Sequence, residues 1–192
     1  MKFEESHIRG AWIVDLERRE DERGFFARAY CRREFEEVGL DFDIKQMNTS
    51  LSKTEGTLRG LHFQHPPHGE AKFIRCIAGA VLDVIVDLRP ESPTFLDSAA
   101  VELTASNRRG LFLPKRCAHG FMTLSADTEV LYLVDEYYAP AQEDGLRWDD
   151  DRLSIEWGRE PTAISPRDQA WPDLRGREAD LRTSMMIGRG DR

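Results

Sequence analysis

Residues 81–88 alternate without a break. Leu82, Val84, Val86 and Leu88 fall on one side of an extended chain, and Val81, Asp83, Ile85 and Asp87 on the other. Successive side chains of a strand point to opposite faces, so this run is a strand of eight residues. Arg89-Pro90-Glu91-Ser92-Pro93 ends it. Shorter runs at 11–14, 99–103, 110–113, 120–124 and 129–134 repeat the pattern, with turn signals between them. That spacing predicts an all-β sandwich or barrel with a few short helices. Residues 25–30 continue the alternation, placing Arg28 on the side of Phe26 and Tyr30, after a turn at 21–24. Residues 32–38 are the best helix, with Phe35 and Val38 on one face and Gly39 as its stop. Residues 44–64 read as largely polar and irregular. Trp148-Asp149-Asp150-Asp151 is a solvated turn, because its spacing is not that of a calcium loop. Residues 1–174 form one domain, and residues 175–192, rich in Gly, Arg and Asp without an apolar period, read as a loose tail.

Composition narrows the functional classes. Of 192 residues, 40% are hydrophobic and 32% charged, which fits a globular chain rather than a disordered one. A net charge of -8 argues against nucleic-acid binding. A small anionic ligand remains compatible, because it feels local Arg and Lys more than distant net charge. Residues 1–5 have no signal-like apolar run, and no stretch approaches the roughly 18 residues of a membrane span. Cys31, Cys76 and Cys117 are odd in number and form no C-x-x-C pair, so a cytoplasmic protein without disulfides is expected.

The chemistry points to Gly56-Thr57-Leu58-Arg59-Gly60-Leu61-His62-Phe63-Gln64. Arg59 carries a planar fork suited to phosphate, and His62 an imidazole suited to proton abstraction. Three residues apart on a strand, they would face opposite ways. A bend or bulge at Gly60 would bring both to one cavity.

Three chemistries compete for the remaining residues. In the first, His62, His65, His68 and His119 belong to a metal site. Gln64 stands where the second ligand of an H-x-H pair would be, and His65 and His68 flank Pro66-Pro67. In the second, Cys117 is a nucleophile with His119 on the same strand face, against the ordinary role of a strand cysteine as a small buried hydrophobe. In the third, acid and base groups work on a carbonyl compound. Lys72 could stabilise an enolate oxygen, against the usual fate of lysine as a surface charge. Tyr132, between Val130 and Val134 on one face, could project its hydroxyl inward or simply pack. Asp83, on the mostly apolar Val81/Ile85 face, needs a partner, and either orients a cavity residue or serves structure.

A set of motifs occurs in order: Asp21-x-Arg23-Gly24-x-Phe26, Gln46-x-Asn48-x-Ser50, Leu58-Arg59-Gly60-Leu61-His62-Phe63-Gln64 and Lys72. Gly79-Ala80-Val81-x-Asp83-Val84-x-Val86-Asp87-Leu88-Arg89, Ser92-Pro93-Thr94 and Pro114-x-x-x-Ala118-His119-Gly120-Phe121 follow. Tyr132, Tyr137-Tyr138-x-Pro140, Ile155-x-Trp157 and Ser165-x-x-Asp168 complete it. Across residues 3–174 the chain resembles the dTDP-4-dehydrorhamnose 3,5-epimerases. The resemblance implies a jelly-roll β-sandwich of the cupin type, a homodimer, a nucleotide-diphosphate sugar substrate, and catalysis without metal or cofactor. It implies His62 as general base oriented by Asp168, Tyr132 as the opposing acid, and Lys72 beside the keto oxygen. Arg23, Arg59 and His119 match contacts toward the diphosphate. Phe26, Gln46, Asn48 and Glu143 match other binding positions, and Tyr138 an aromatic that stacks on the base. Three positions depart. Arg28 replaces a Glu that contacts thymine, Met47 replaces an Asp, and Arg167 stands where Lys is common. They point to a changed base preference. Alternatives left by the sequence are an epimerase acting at C3 or C5 alone, a metal-dependent cupin oxygenase, and a sugar-binding cupin without turnover.

Overall fold

The computed structural model describes residues 1–187. In chain order, β1 (Lys2–Glu5) and β2 (Trp12–Asp15) form a hairpin, β3 (Arg19–Asp21) and β4 (Gly24–Phe26) a smaller one, and α1 (Arg32–Glu37) follows. The body comprises β5 (Gln46–Ser52), β6 (Thr57–Gln64), β7 (Lys72–Ala78), β8 (Ala80–Asp87), β9 (Ser98–Thr104), β10 (Gly110–Leu113), β11 (Cys117–Thr123) and β12 (Thr128–Val134). It is closed by β13 (Glu143–Gly145), β14 (Ala163–Ile164), α2 (Pro166–Gln169) and α3 (Glu178–Ser184).

Two sheets form a β-sandwich of the cupin type. The first has the order β1-β2-β10-β7-β12-β5, the second β13-β6-β11-β8-β9, with β14 added to β6. The chain crosses from β7 to β8, and so from one sheet to the other, through the single residue Gly79 (φ +74°). A Cβ there would lie 2.3 Å from Thr128 Oγ1, so glycine is required both for the turn and for the space.

β8 carries apolar residues on both sides because both its faces are covered. Val81 and Ile85 join Ile74, Leu111, Cys117 and Val130 in the core between the sheets. Val84, Val86 and Leu88 pack outward, under Leu153, Trp157, Leu174, Leu181 and Met185. A third cluster centres on Phe35 and Phe42 and covers part of the first sheet's outer face through Phe73 and Phe112.

Four expectations are corrected. Residues 44–64 hold two strands, β5 and β6. β5 escaped the pattern because it is the edge of the first sheet, and its inward residues are the polar Gln46, Asn48 and Ser50. The alternation at 25–30 is not one strand. β4 stops at Phe26, and Tyr30 turns into the Phe35 cluster, its hydroxyl donating to the Phe42 carbonyl at 2.9 Å. Asp150 is buried rather than solvated, accepting from the Leu174 N–H at 2.7 Å and the Arg152 N–H at 2.9 Å. The stretch read as tail from 175 carries α3, which docks through buried Leu181 and Met185, two apolar anchors too few to make a period. Residues 188–192 of that stretch lie outside the described residues.

Candidate active site

The site begins with an irregularity in β6. His119 on β11 pairs with His62 on β6, and Phe121 pairs with Arg59. Two steps on β11 therefore match three on β6, so β6 carries one extra residue there, which is a bulge. Gly60 has φ +122°, and a Cβ on it would lie 2.5 Å from the Gly120 Cα. The bulge resets the strand's parity, and Arg59 and His62 line one cavity as the motif required.

That cavity, of about 520 Å³, opens between the sheets. Its floor on the second sheet carries Arg59, His62, His119 and Phe121. α2 closes one side. β14 pairs with the start of β6, and Ser165 then caps α2, its hydroxyl accepting from the Asp168 N–H at 3.0 Å with Pro166 in the first turn. This places buried Asp168 against His62, with Oδ1 2.7 Å from Nε2, while Oδ2 accepts from the Gly60 N–H at 3.4 Å. Burial alone would push the Asp168 carboxyl up. Its hydrogen bond and charge interaction with His62, with the Gly60 N–H, outweigh burial and hold it below the ordinary value. A carboxylate only accepts, so Nε2 carries a hydrogen, and in the neutral form of the ring Nδ1 holds the lone pair. His119 is tethered similarly, its Nε2 3.0 Å from both oxygens of Asp83. Of the two roles open to Asp83, orienting a cavity residue is the one observed.

The first sheet supplies the opposite wall. Asn48, Tyr132 and Ile74 stand in register across β5, β12 and β7, and Gln46, Val134 and Lys72 form the next rung. Tyr132 and Lys72 line the cavity facing His62. Burial, and then the Glu70 charge, raise the Tyr132 phenol above its ordinary value, which keeps it protonated at neutral pH. Lys72 is buried and paired with Glu70 at 2.8 Å.

A second lobe, of about 440 Å³, shares His62, Lys72 and Tyr132 with the first and adds Gln46, Asn48, Gln64, Glu70, Tyr138 and Glu143. Glu143 is clamped by Arg167 at 2.7 Å and by the Tyr138 hydroxyl. Burial would raise the Glu143 carboxyl, but the Tyr138 and Arg167 hydrogen bonds hold it low. Gln64 is buried and fully engaged. Its amide NH₂ donates to the His68 carbonyl at 2.9 Å, and its oxygen accepts from the Ala139 N–H at 2.6 Å. His65 pairs with Asp144 at 3.1 Å, and His68 is exposed.

Not every expected residue reaches the cavity. Arg23 is 84% exposed and bonded to Asp21, and Phe26 is 68% exposed on the same hairpin. Arg28 pairs with Glu34 at 2.8 Å beside a separate small pocket. The inference that Arg28 shares a groove-facing strand with Phe26 fails because β4 has ended. Met47, between the inward Gln46 and Asn48, faces outward and is 64% exposed, so it cannot alter a base bound inside this chain's cavity. Cys117 lies in the core, where burial pushes its thiol up to about 12, and no thiolate is available for attack at neutral pH. Sequence reasoning quoted Ser50 in a motif without giving it a role, and passed over Glu70 and Trp171 as site residues. The inward rhythm of Gln46, Asn48 and Ser50 carries a signal for the first, whereas nothing in the sequence marks Trp171.

A base with an orienting carboxylate, a protonated phenol across the cavity and an ammonium beside both can move a proton on and off carbon next to a carbonyl. Comparison with known proteins places the chain in a family. A family model described as dTDP-4-dehydrorhamnose 3,5-epimerase matches residues 5–176. The dTDP-4-dehydrorhamnose 3,5-epimerase of Salmonella typhimurium is 44% identical over 80% of this chain and 85% of its own. The crystal structure of the Legionella pneumophila 3,5-epimerase in complex with dTDP-4-keto-L-rhamnose superposes with a TM-score of 0.87 at 36% identity, covering 94% of this chain and 96% of that one. A 3'-monoepimerase from Streptomyces bikiniensis, solved with dTDP-quinovose, gives 0.85 at 33% identity over 92% and 90%. On sequence and fold together, the chain belongs to the dTDP-4-dehydrorhamnose 3,5-epimerase family.

Proposed function

We propose that the chain inverts C3 and C5 of a nucleotide-diphosphate 4-keto-6-deoxyhexose, with dTDP as the nucleotide. The observation that carries this reading is the Asp168–His62 pair on one wall of the cavity with Tyr132 and Lys72 on the other. The ketone at C4 acidifies the hydrogens on both neighbouring carbons. His62 Nδ1 takes one of them. The C–H electrons become the enolate double bond, and the C4 oxygen gains charge beside the Lys72 ammonium. The Tyr132 hydroxyl then gives its proton to the opposite face of the same carbon, the C=O re-forms, and solvent restores both groups. No electron leaves the substrate. Arg59 and His119 receive the diphosphate, and Gln46, Asn48, Glu143 and Tyr138 hold the outer part of the ligand, with Arg167 fixing Glu143. The test is NMR of dTDP-4-keto-6-deoxyglucose incubated with the protein in D₂O. Deuterium should enter at C3 and C5 with inversion at both. Deuterium at one carbon alone would move the chain to the single-centre epimerases, and none at either would leave a binding protein.

The homodimer belongs to the same proposal. Met47, Leu51 and Ile77 leave an exposed apolar strip on the first sheet's outer face, a surface a second copy would cover. Arg23 and Phe26 stand on an exposed hairpin and Arg28 just beyond it, all outside this chain's cavity, so their role in binding is to reach the cavity of that second copy. Mixing inactive Arg23→Ala and His62→Ala chains should restore activity, since one hybrid site is then intact. Mixtures that stay inactive would confine the site to one chain. The three cysteines are unpaired thiols, which suits a reducing cytoplasm, and the body from β1 through α3 acts as one catalytic domain.

A further inference from the structure

Trp171 occupies a place that the proton-transfer reading leaves unused. Its indole and the His62 imidazole have centroids 6.3 Å apart and planes at 70°. The Arg167 guanidinium lies 5.3 Å from the indole centroid. Gly145 is the third neighbour. It stands opposite His62 in the β13–β6 register, and a Cβ on it would lie 2.3 Å from the indole Cε2 and 2.5 Å from Nε1. Gly145 is not among the residues of positive φ, so its backbone does not demand glycine, but the indole does. Among the described residues the buried indole N–H has no acceptor, and packing between Gly145, Arg167 and His62 sets the ring's position.

A hydrogen bond through Nε2 fixes one end of the His62 ring but leaves the ring free to swing about that bond. Nδ1, the atom with the lone pair, sweeps through space when it does. A flat neighbour removes that freedom. The segment that supplies Asp168 also supplies the neighbour three residues later. Arg167, beside Asp168 in sequence, contacts the indole and bonds Glu143 in the outer lobe at 2.7 Å. We propose that Trp171, seated in the notch left by Gly145, is a positioning residue that holds the His62 imidazole in the orientation needed to take a proton from carbon. This rests on His62 being the general base.

The experiment measures kcat, KM and deuterium entry at C3 and C5 with dTDP-4-keto-6-deoxyglucose for Trp171→Ala, Trp171→Phe, Gly145→Ala and the Gly145→Ala/Trp171→Ala pair. Loss of ring orientation should lower kcat and exchange about tenfold in Trp171→Ala, with KM within about twofold. Trp171→Phe should recover most of the loss, because a flat ring remains. Gly145→Ala should reproduce Trp171→Ala by expelling the indole, and the double variant should be no worse than either single, as expected of two changes acting on one contact. The proposal is overturned if Trp171→Ala keeps the wild-type kcat, if Trp171→Phe recovers nothing, or if the two losses multiply. Should Gly145→Ala fail to fold, the Ala and Phe variants of Trp171 decide alone. A wild-type protein without exchange, or a His62→Ala variant that exchanges normally, would instead remove the base assignment beneath it.

Discussion

Two imidazoles stand side by side in this sandwich, each bonded through Nε2 to a buried aspartate, and they are built differently. His119 on β11 is held by Asp83 from the neighbouring strand β8, with both oxygens at 3.0 Å, and its side chain is only 11% exposed. His62 on β6 is held by Asp168 from α2, outside the sheet, through one contact of 2.7 Å, and is 33% exposed. A partner within the sheet makes a rigid, recessed group. A partner brought in from a helix leaves the imidazole open to the cavity. The first arrangement suits a fixed binding contact and the second a base.

The sharpest way to break this contrast is at the carboxylates. His62→Ala should lower exchange at both carbons by about 10³–10⁴-fold, and Asp168→Asn should come close, since an amide NH₂ cannot accept from Nε2 and the ring loses its productive tautomer. Equal losses from Asp83→Asn would erase the distinction between the pairs.

The wall opposite gives the next effect in size. Tyr132→Phe keeps the ring and removes the proton. Inverted product should fall by roughly 10²-fold, while deuterium still enters through His62 from the unchanged face. NMR of recovered substrate separates the two outcomes. Normal epimerisation would assign the acid to another group.

Asp83→Asn should be milder. It replaces one of the two acceptor oxygens facing His119 by an NH₂ and removes the charge, which loosens a binding contact, so KM should rise about tenfold with kcat within a few-fold. Steady-state kinetics check this, and a fall in kcat with KM unchanged would give His119 a part in proton transfer.

The two pairs also differ in how visible they are in the sequence. Asp83 could be singled out because it interrupts an apolar strand face, and a charge there needs a partner. Its partner follows from strand pairing, which sequence does not print but alternation constrains. Asp168 has no such context. It sits in a four-residue helix whose position depends on β14 pairing with β6, a contact between residues 57–58 and 163–164 that no local pattern announces, and only the family motif pointed to it. The bulge at Gly60 was legible, because Arg59 and His62 could share a cavity no other way. β5 was not, since an edge strand lining a polar cavity lacks apolar alternation. α3 was hidden because a short helix docks on just Leu181 and Met185. Trp171 was hidden because its neighbours come from β6 and β13, and the one clue, glycine at 145, gains meaning only when the indole lies against it.

The smallest effect concerns stability. The Asp168 carboxyl lies below its ordinary value of 3.8 in the folded chain. Its ionised form is therefore favoured by folding, and the stabilisation is fully present above that value. As pH falls through the lower, folded value, the carboxylate takes up a proton and the contribution disappears. Asp168→Asn removes the titrating group and keeps the shape. At pH 7 the variant should be less stable by about 1 kcal/mol, a modest figure because burial of the carboxylate works against its hydrogen bonds. In urea unfolding the gap between wild type and variant should close as pH falls below the ordinary carboxylate range. A gap that widened toward acid would reverse the sign and place the Asp168 carboxyl above its ordinary value. Asp83→Asn, run beside it, reports whether the sheet-borne carboxylate carries the same dependence.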